Sequence, residues 1–100
     1  MKTFETMYTG DIRAIQITIW DQNDEAWLPS TVFAKVVNSD GEIISIEQLC
    51  LIIDNSAATI VPLAVTEFAG TYEVIWRIVK VVGSDIFTYY HKTELRVEEI

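Results

Sequence analysis

The segment TEFAGTYEVIWRIV, residues Thr66–Val79, decides the fold. A short polar stretch closes on Gly70, two residues before Tyr72, and apolar and polar residues alternate from Tyr72 on. Side chains on a strand point alternately to its two faces. The alternation therefore predicts a long strand with one face in the core, and Trp76 is the best core candidate. One face carries Val74, Trp76 and Ile78, and the other carries Glu73, Ile75 and Arg77.

The rest of the chain predicts further short strands separated by turn signals about every ten residues. Asp40-Gly41 and the VVGSD segment, residues 81–85, are typical of hairpin turns. TIVPLAV, residues 59–65, reads as a strand that Pro62 places at an edge or a bulge, and a helical turn is expected at residues 66–68. The run at residues 42–54 is typical of extended structure with a bend near Glu47, although ISIEQLCLII within it also allows a helix.

About seven short strands in this length predict an all-β fold, an immunoglobulin-like antiparallel β-sandwich. The opening segment fits such a sandwich, in which a tyrosine at the start of a late strand folds its hydroxyl back onto the preceding corner. We expect the Tyr72 hydroxyl to bond to backbone between Val65 and Phe68, with Gly70 supplying the tight turn. The alternative is a tyrosine that merely begins a strand.

The composition of the chain limits the functions and partners that it can have. The chain has 100 residues, half of them hydrophobic, and residues 1–100 are expected to form a single β-sandwich domain. A net charge of -8 disfavours binding to nucleic acid or anionic membranes, and it favours a neutral or basic protein partner. Cys50 is the only cysteine, so no intramolecular disulfide can form, and we interpret it as a small buried hydrophobe.

Neither a signal peptide nor a membrane segment is apparent in the sequence. The expected product is a soluble protein made in a cytoplasm, with both ends held in a sheet or by a partner.

No group of residues specifies catalysis, and we predict no enzyme, no cofactor and no metal. Ser84, Asp85 and His91 are the residue types of a catalytic triad, but nothing in their spacing specifies the geometry that a triad needs. The oxygen-rich loop Asp21–Glu25 has Ala26 and Val32 where a calcium loop needs glycine and glutamate. A solvated hairpin tip is the favoured interpretation.

Aromatic residues exceed what a small core needs, notably Trp20, Trp27 and the Tyr89-Tyr90 pair. We predict a partner interface on the outer face of the last two strands. It comprises Ile75, Arg77, Val79, Tyr90 and Lys92, with Thr88 beside them. The alternative is that scattered surface aromatics have no function.

The sequence resembles the small immunoglobulin-like domains of tailed-bacteriophage virions, and it is similar to the N-terminal domain of phage baseplate upper proteins. The motifs that carry the resemblance occur in the family's order across nearly the whole chain: Gly10-Asp11, Asp21 to Asp24, Leu28-Pro29-Ser30 and Gly70-Thr71-Tyr72. The first hairpin tip lacks the family's glycine, and Pro29 stands where an acidic or small polar residue is usual.

The resemblance implies a non-catalytic virion protein, namely a capsid decoration, a neck or tail adaptor, or a baseplate piece. Its partners would be other virion structural proteins, and it would be oligomeric in the assembly. The rival hypothesis is a carbohydrate-binding or adhesion β-sandwich module, whose exposed aromatic rings stack on sugars.

Overall fold

The computed structural model describes residues 2–100, which form eight strands and one short helix. The predicted all-β sandwich is confirmed, with one strand more than the seven expected. The elements are β1 (Lys2–Tyr8), β2 (Arg13–Thr18), β3 (Thr31–Asn38), β4 (Ile43–Leu49), β5 (Leu51–Ile53), β6 (Ser56–Val61), α1 (Leu63–Thr66), β7 (Gly70–Val82) and β8 (Asp85–Glu98).

The strands form two sheets, a five-stranded sheet in the order β1-β8-β7-β3-β4 and a three-stranded sheet in the order β2-β6-β5. Two sheets with these crossovers are the arrangement of an immunoglobulin-like sandwich. The expected all-antiparallel pairing is wrong at one place, because β1 pairs with β8 in parallel. The sequence carries no signal for the direction of β1.

The core lies between the sheets and follows the period-two pattern of the sequence. Ile15 and Ile17 face inward from β2, opposite Val74, Trp76 and Ile78 of β7. Trp76 is fully buried and is the largest of the fully buried side chains. The face predicted from the opening segment is therefore the core face.

The corner before β7 has the predicted bond. The Tyr72 hydroxyl donates to the carbonyl oxygen of Phe68 at 2.9 Å, and the ring, half-buried, packs against the core. Gly70 has a φ of +157°, which L side chains rarely adopt, and a Cβ there would lie 3.7 Å from Cε2 of Tyr72. The tyrosine thus ties the segment after α1 to the start of β7.

Replacing Tyr72 with phenylalanine should lower the free energy of unfolding by about 1 kcal/mol, since the Phe68 carbonyl loses its donor while the ring is kept. Urea denaturation followed by circular dichroism measures the difference. A matched control is Tyr90→Phe, because Tyr90 is exposed. Equal free energies of unfolding for the wild type and Tyr72→Phe would show that this hydrogen bond does not stabilise the fold.

The first correction concerns the segment around Pro62. Strand β6 ends at Val61, and Pro62 is the N-cap of α1 with φ -75° and ψ 160°. A proline lacks the N–H that a strand needs, but a helix start does not use that group. The predicted strand at residues 63–65 and the helical turn at 66–68 are therefore replaced by α1.

The second correction concerns the bend expected near Glu47. The break falls at Cys50 instead, between β4 of the larger sheet and β5 of the smaller one. The Cys50 N–H donates to the Val32 carbonyl at 2.8 Å. The side chain is buried, as expected, and burial raises the pKa of its thiol to about 11.

Candidate interaction surfaces

The last two strands pair in the register that the sequence predicts. Ile75 lies opposite Lys92, Arg77 opposite Tyr90, and Val79 opposite Thr88. This register follows from the tight turn between Val82 and Asp85, where Gly83 has a φ of +61°. The structure therefore brings the predicted interface residues together on the outer face of the five-stranded sheet.

Charged pairs already occupy much of this outer face. Arg77 donates to Glu47 through Nε at 3.1 Å and through Nη2 at 2.6 Å, and its guanidinium lies 4.3 Å from the centre of the Phe33 ring. The hydrogen bond from Arg77 lowers the pKa of Glu47. Lys92 lies 3.7 Å from Glu73. A partner on this face would have to accommodate these pairs, which the sequence did not reveal.

A hairpin arm, which we define as residues Val81–Tyr90, extends beyond the sandwich. Every residue of the arm is exposed. Strand β7 has 13 residues, which at about 3.3 Å each span roughly 43 Å, close to the 46 Å long axis of the molecule. The three-stranded sheet is built from much shorter strands and does not cover the arm. Apolar side chains therefore point outward from both faces of the arm. These are Val81, Val82, Ile86, Phe87, Tyr89 and Tyr90.

A groove lies at the same end of the molecule, where the inner side of the hairpin faces the connection from β2 to β3. It has a volume of about 960 Å³, and its lining includes Trp20, Trp27, Tyr89 and His91. Trp27 meets Tyr89 edge to face with ring centres 5.4 Å apart. In immunoglobulin variable domains the corresponding loops, at one end of the sandwich, form the binding site.

The connection from β2 to β3 has a fixed conformation. Oδ1 of Asp21 accepts the N–H groups of Asn23 and Glu25 at 2.8 and 3.0 Å, and Trp20 forms a bridge with Ala26. The Asp21 carboxylate thus caps its own turn. The groove wall is a hydrogen-bonded hairpin tip, as the sequence suggested, and it holds Trp20 at the surface.

A chain of hydrogen bonds connects the core to the groove. The Trp76 indole N–H donates to Oγ1 of Thr93 at 2.9 Å, and Oγ1 of Thr93 lies 2.6 Å from Oγ1 of Thr3. Oγ1 of Thr3 lies 3.2 Å from Nε2 of His91. The Thr93 hydroxyl accepts from Trp76. Where Nε2 of His91 carries no proton, it can accept from Thr3, which in turn can accept from Thr93.

Burial lowers the pKa of His91, in agreement with this direction of the chain. The unfolded chain therefore binds a proton at His91 more readily than the folded chain does, and stability rises with pH through this group's titration. We expect the free energy of unfolding to fall as the pH drops below about 6.5 towards the lower folded pKa. The loss should be smaller in His91→Gln, measured by urea denaturation at several pH values. Parallel pH profiles for the two proteins would contradict this assignment.

The triad considered from the sequence does not assemble. Asp85 and His91 lie on the same strand, about 20 Å apart at ~3.3 Å per residue. Ser84 lies in the turn at the tip of the arm, beside Asp85. The hydroxyl and the imidazole are therefore too far apart for proton transfer.

The outer face of the three-stranded sheet is a surface that sequence reasoning missed. The outward positions of its strands alternate with the buried residues Ile15, Ile17 and Ala57. No residue at an outward position is charged. Leu51, Ile53 and Ile60 are each about two-thirds exposed. The outward residues of the three strands are Ala14, Gln16, Thr18, Leu51, Ile53, Ser56, Ala58 and Ile60. The apolar run around Cys50 was the available signal, but it indicated only extended structure and not an exposed face.

Within residues 2–100, no three histidine, cysteine, aspartate or glutamate side chains are grouped so as to hold a metal ion. The helix found in this range is too short to cross a membrane. Comparison of the chain with protein-family models and with curated proteins finds no match in either.

Proposed function

We propose that this chain is a non-catalytic structural component of a tailed-phage virion that works by docking onto other virion proteins. The proposal combines the motif resemblance of the sequence with one structural observation, the exposed hairpin arm. The proposal applies equally to a capsid decoration, a neck or tail adaptor, and a baseplate piece. In the particle the chain would be part of an oligomeric assembly.

The arm carries this proposal because of its energetics. Trp27 packs on the base of the arm at Tyr89, but no layer covers the tip beyond it, and a two-stranded hairpin without such a layer is marginally stable in water. Here Val82 and Ile86 are left exposed together with Phe87. Large contiguous apolar surfaces on soluble proteins mark interaction sites. A partner that covers the arm would bury these side chains and hold the hairpin in one conformation.

The charge of the chain determines which partners suit it. With a net charge of -8, association with a basic surface is accelerated at low salt. Tyrosine and arginine residues often dominate binding energy at interfaces. Tyr90 is exposed on the arm, whereas Arg77 is held by Glu47, so Tyr90 is the better anchor of the two.

The experiment is incorporation of tagged variants into phage particles, quantified by mass spectrometry of purified virions. In the double variant Ile86→Ser, Phe87→Ser we expect occupancy to fall about tenfold, as a loss of roughly 1.4 kcal/mol would produce. Tyr90→Ala should reduce occupancy in the same direction. Phe68→Ser is the matched control, because Phe68 is exposed at the opposite end of β7.

Wild-type occupancy of the double variant would exclude the arm as the docking surface. Absence of the wild-type chain from purified particles would exclude the virion assignment itself. Melting curves of the isolated variants show whether each protein is folded, so that a loss of occupancy reports on docking.

A further inference from the structure

The groove beside the arm has the composition of a site for a small polar ligand. Its volume of about 960 Å³ lies at the upper end of the usual range for ligand pockets. The floor is the inner side of the β7–β8 hairpin, represented by Ile78, Tyr89 and His91, with Thr3 of β1 beside them. The wall is the end of β2 and the hydrogen-bonded tip after it. The floor is a pair of hydrogen-bonded strands and the wall ends in a hydrogen-bonded turn, so backbone hydrogen bonds shape the groove.

Charge restricts the class of ligand. Among residues 2–100, no lysine or arginine lines the groove, whereas Asp21 and Asp24 do. Phosphates, sulfates and carboxylates would meet acidic groups there without a cation to pair with. The ligand that fits is therefore uncharged, at least at the part that enters the groove.

The aromatic rings supply flat apolar surfaces at the mouth of the groove. Trp20 is 58% exposed and Tyr89 is 53% exposed. Tyr89 is also held in place by the edge-to-face contact with Trp27. An aromatic face carries partial negative charge. The C–H groups on one side of a pyranose ring carry partial positive charge, so a sugar ring stacks well on such a face.

Hydrogen-bonding groups stand close to these rings. Asn23 is an exposed amide in the lining and offers both donors and acceptors. Asp24 offers acceptors only. Sugar hydroxyls are likewise both donors and acceptors, so amides and carboxylates are suitable partners for them.

We propose that this groove binds a neutral oligosaccharide, with pyranose rings stacked on Trp20 and Tyr89 and hydroxyls bonded to Asn23 and Asp24. This proposal does not rest on the docking proposed for the arm. The groove and the arm share Tyr89, so a glycan and a partner that covers the inner side of the arm would compete for that ring.

The test is a nuclear magnetic resonance titration of the ¹⁵N-labelled chain with neutral hexasaccharides: maltohexaose, cellohexaose, xylohexaose, mannohexaose and chitohexaose. We expect concentration-dependent shifts of the Trp20 and Trp27 indole signals with at least one of them, with a dissociation constant of about 1 mM. The buried Trp76 indole should not shift. Hexagalacturonate, an anionic probe, should bind at least tenfold more weakly, because the acidic lining repels it.

Two variants complete the experiment. Trp20→Ala should weaken binding about tenfold, because the stacking surface is removed. Phe68→Ala should bind as the wild type does, because this exposed aromatic lies at the other end of the molecule. The proposal is overturned by any of three results: no indole shift with any neutral probe at about 10 mM, unchanged affinity in Trp20→Ala, or equal binding of hexagalacturonate.

Discussion

Replacing Trp76 with alanine is expected to lower the free energy of unfolding by about 3–5 kcal/mol. The indole is fully buried between the sheets, and its removal leaves a cavity that the surrounding strands cannot close. The change also takes the N–H donor from Thr93. Because small domains have a total stability of about 5–15 kcal/mol, the variant would be close to unfolding at room temperature.

Urea denaturation monitored by circular dichroism gives this difference directly. Trp20→Ala is the matched control: the same residue type is deleted, but at an exposed position. Its effect should stay within about 0.5 kcal/mol. A Trp76→Ala protein as stable as Trp20→Ala would show that Trp76 is not central to the core.

Replacing Thr93 with valine is expected to destabilise the protein by about 1–3 kcal/mol, although the shape of the side chain is preserved. Thr93 is buried, and its hydroxyl lies between the Trp76 indole and the Thr3 hydroxyl. Valine would leave the indole N–H without a partner and away from water. Thr93→Ser, which keeps the hydroxyl and removes a methyl group, is the control and should retain the hydrogen bonds.

A double-mutant cycle isolates this bond from packing. Trp76→Phe removes the donor, so that adding Thr93→Val to it no longer creates an unsatisfied indole group. The two changes together should then cost less than the sum of their separate effects. Strict additivity would show that the indole and the hydroxyl are not energetically coupled.

The elements that local sequence determines were predictable. The alternation from Tyr72 to Val79 identified the core face of β7, and a glycine in the turn at residues 83–84 fixed the pairing of Arg77 with Tyr90. Both depend on neighbours in sequence. Where the chain leaves one sheet for the other was not predictable, because the apolar residues around Cys50 satisfy either sheet equally well. Pro62 was misassigned for a related reason, since a strand end and a helix start both tolerate it.

The groove could not be assembled from the sequence. Its lining comes from β1, from β2 and the connection after it, and from β7 and β8. Trp20, Trp27 and Tyr89 were each recognised as surplus aromatics, yet nothing in their spacing places Trp27 against Tyr89. That contact exists because the β7–β8 hairpin extends beyond the three-stranded sheet, and the extension depends on how short the strands of that sheet are. The predicted outer-face patch did assemble, but Glu47, which holds Arg77, comes from a distant strand.

The parallel pairing of β1 with β8 has a consequence for biosynthesis. Thr3 contacts Thr93, 90 positions later in the chain, so β1 leaves the ribosome well before the strand on which it docks. At translation rates of about 5–20 residues per second, β1 waits roughly 5–20 s for its partner. Until then the polar backbone groups of β1 are free to pair with other nascent strands, which makes the yield of folded protein sensitive to chaperones and to translation speed.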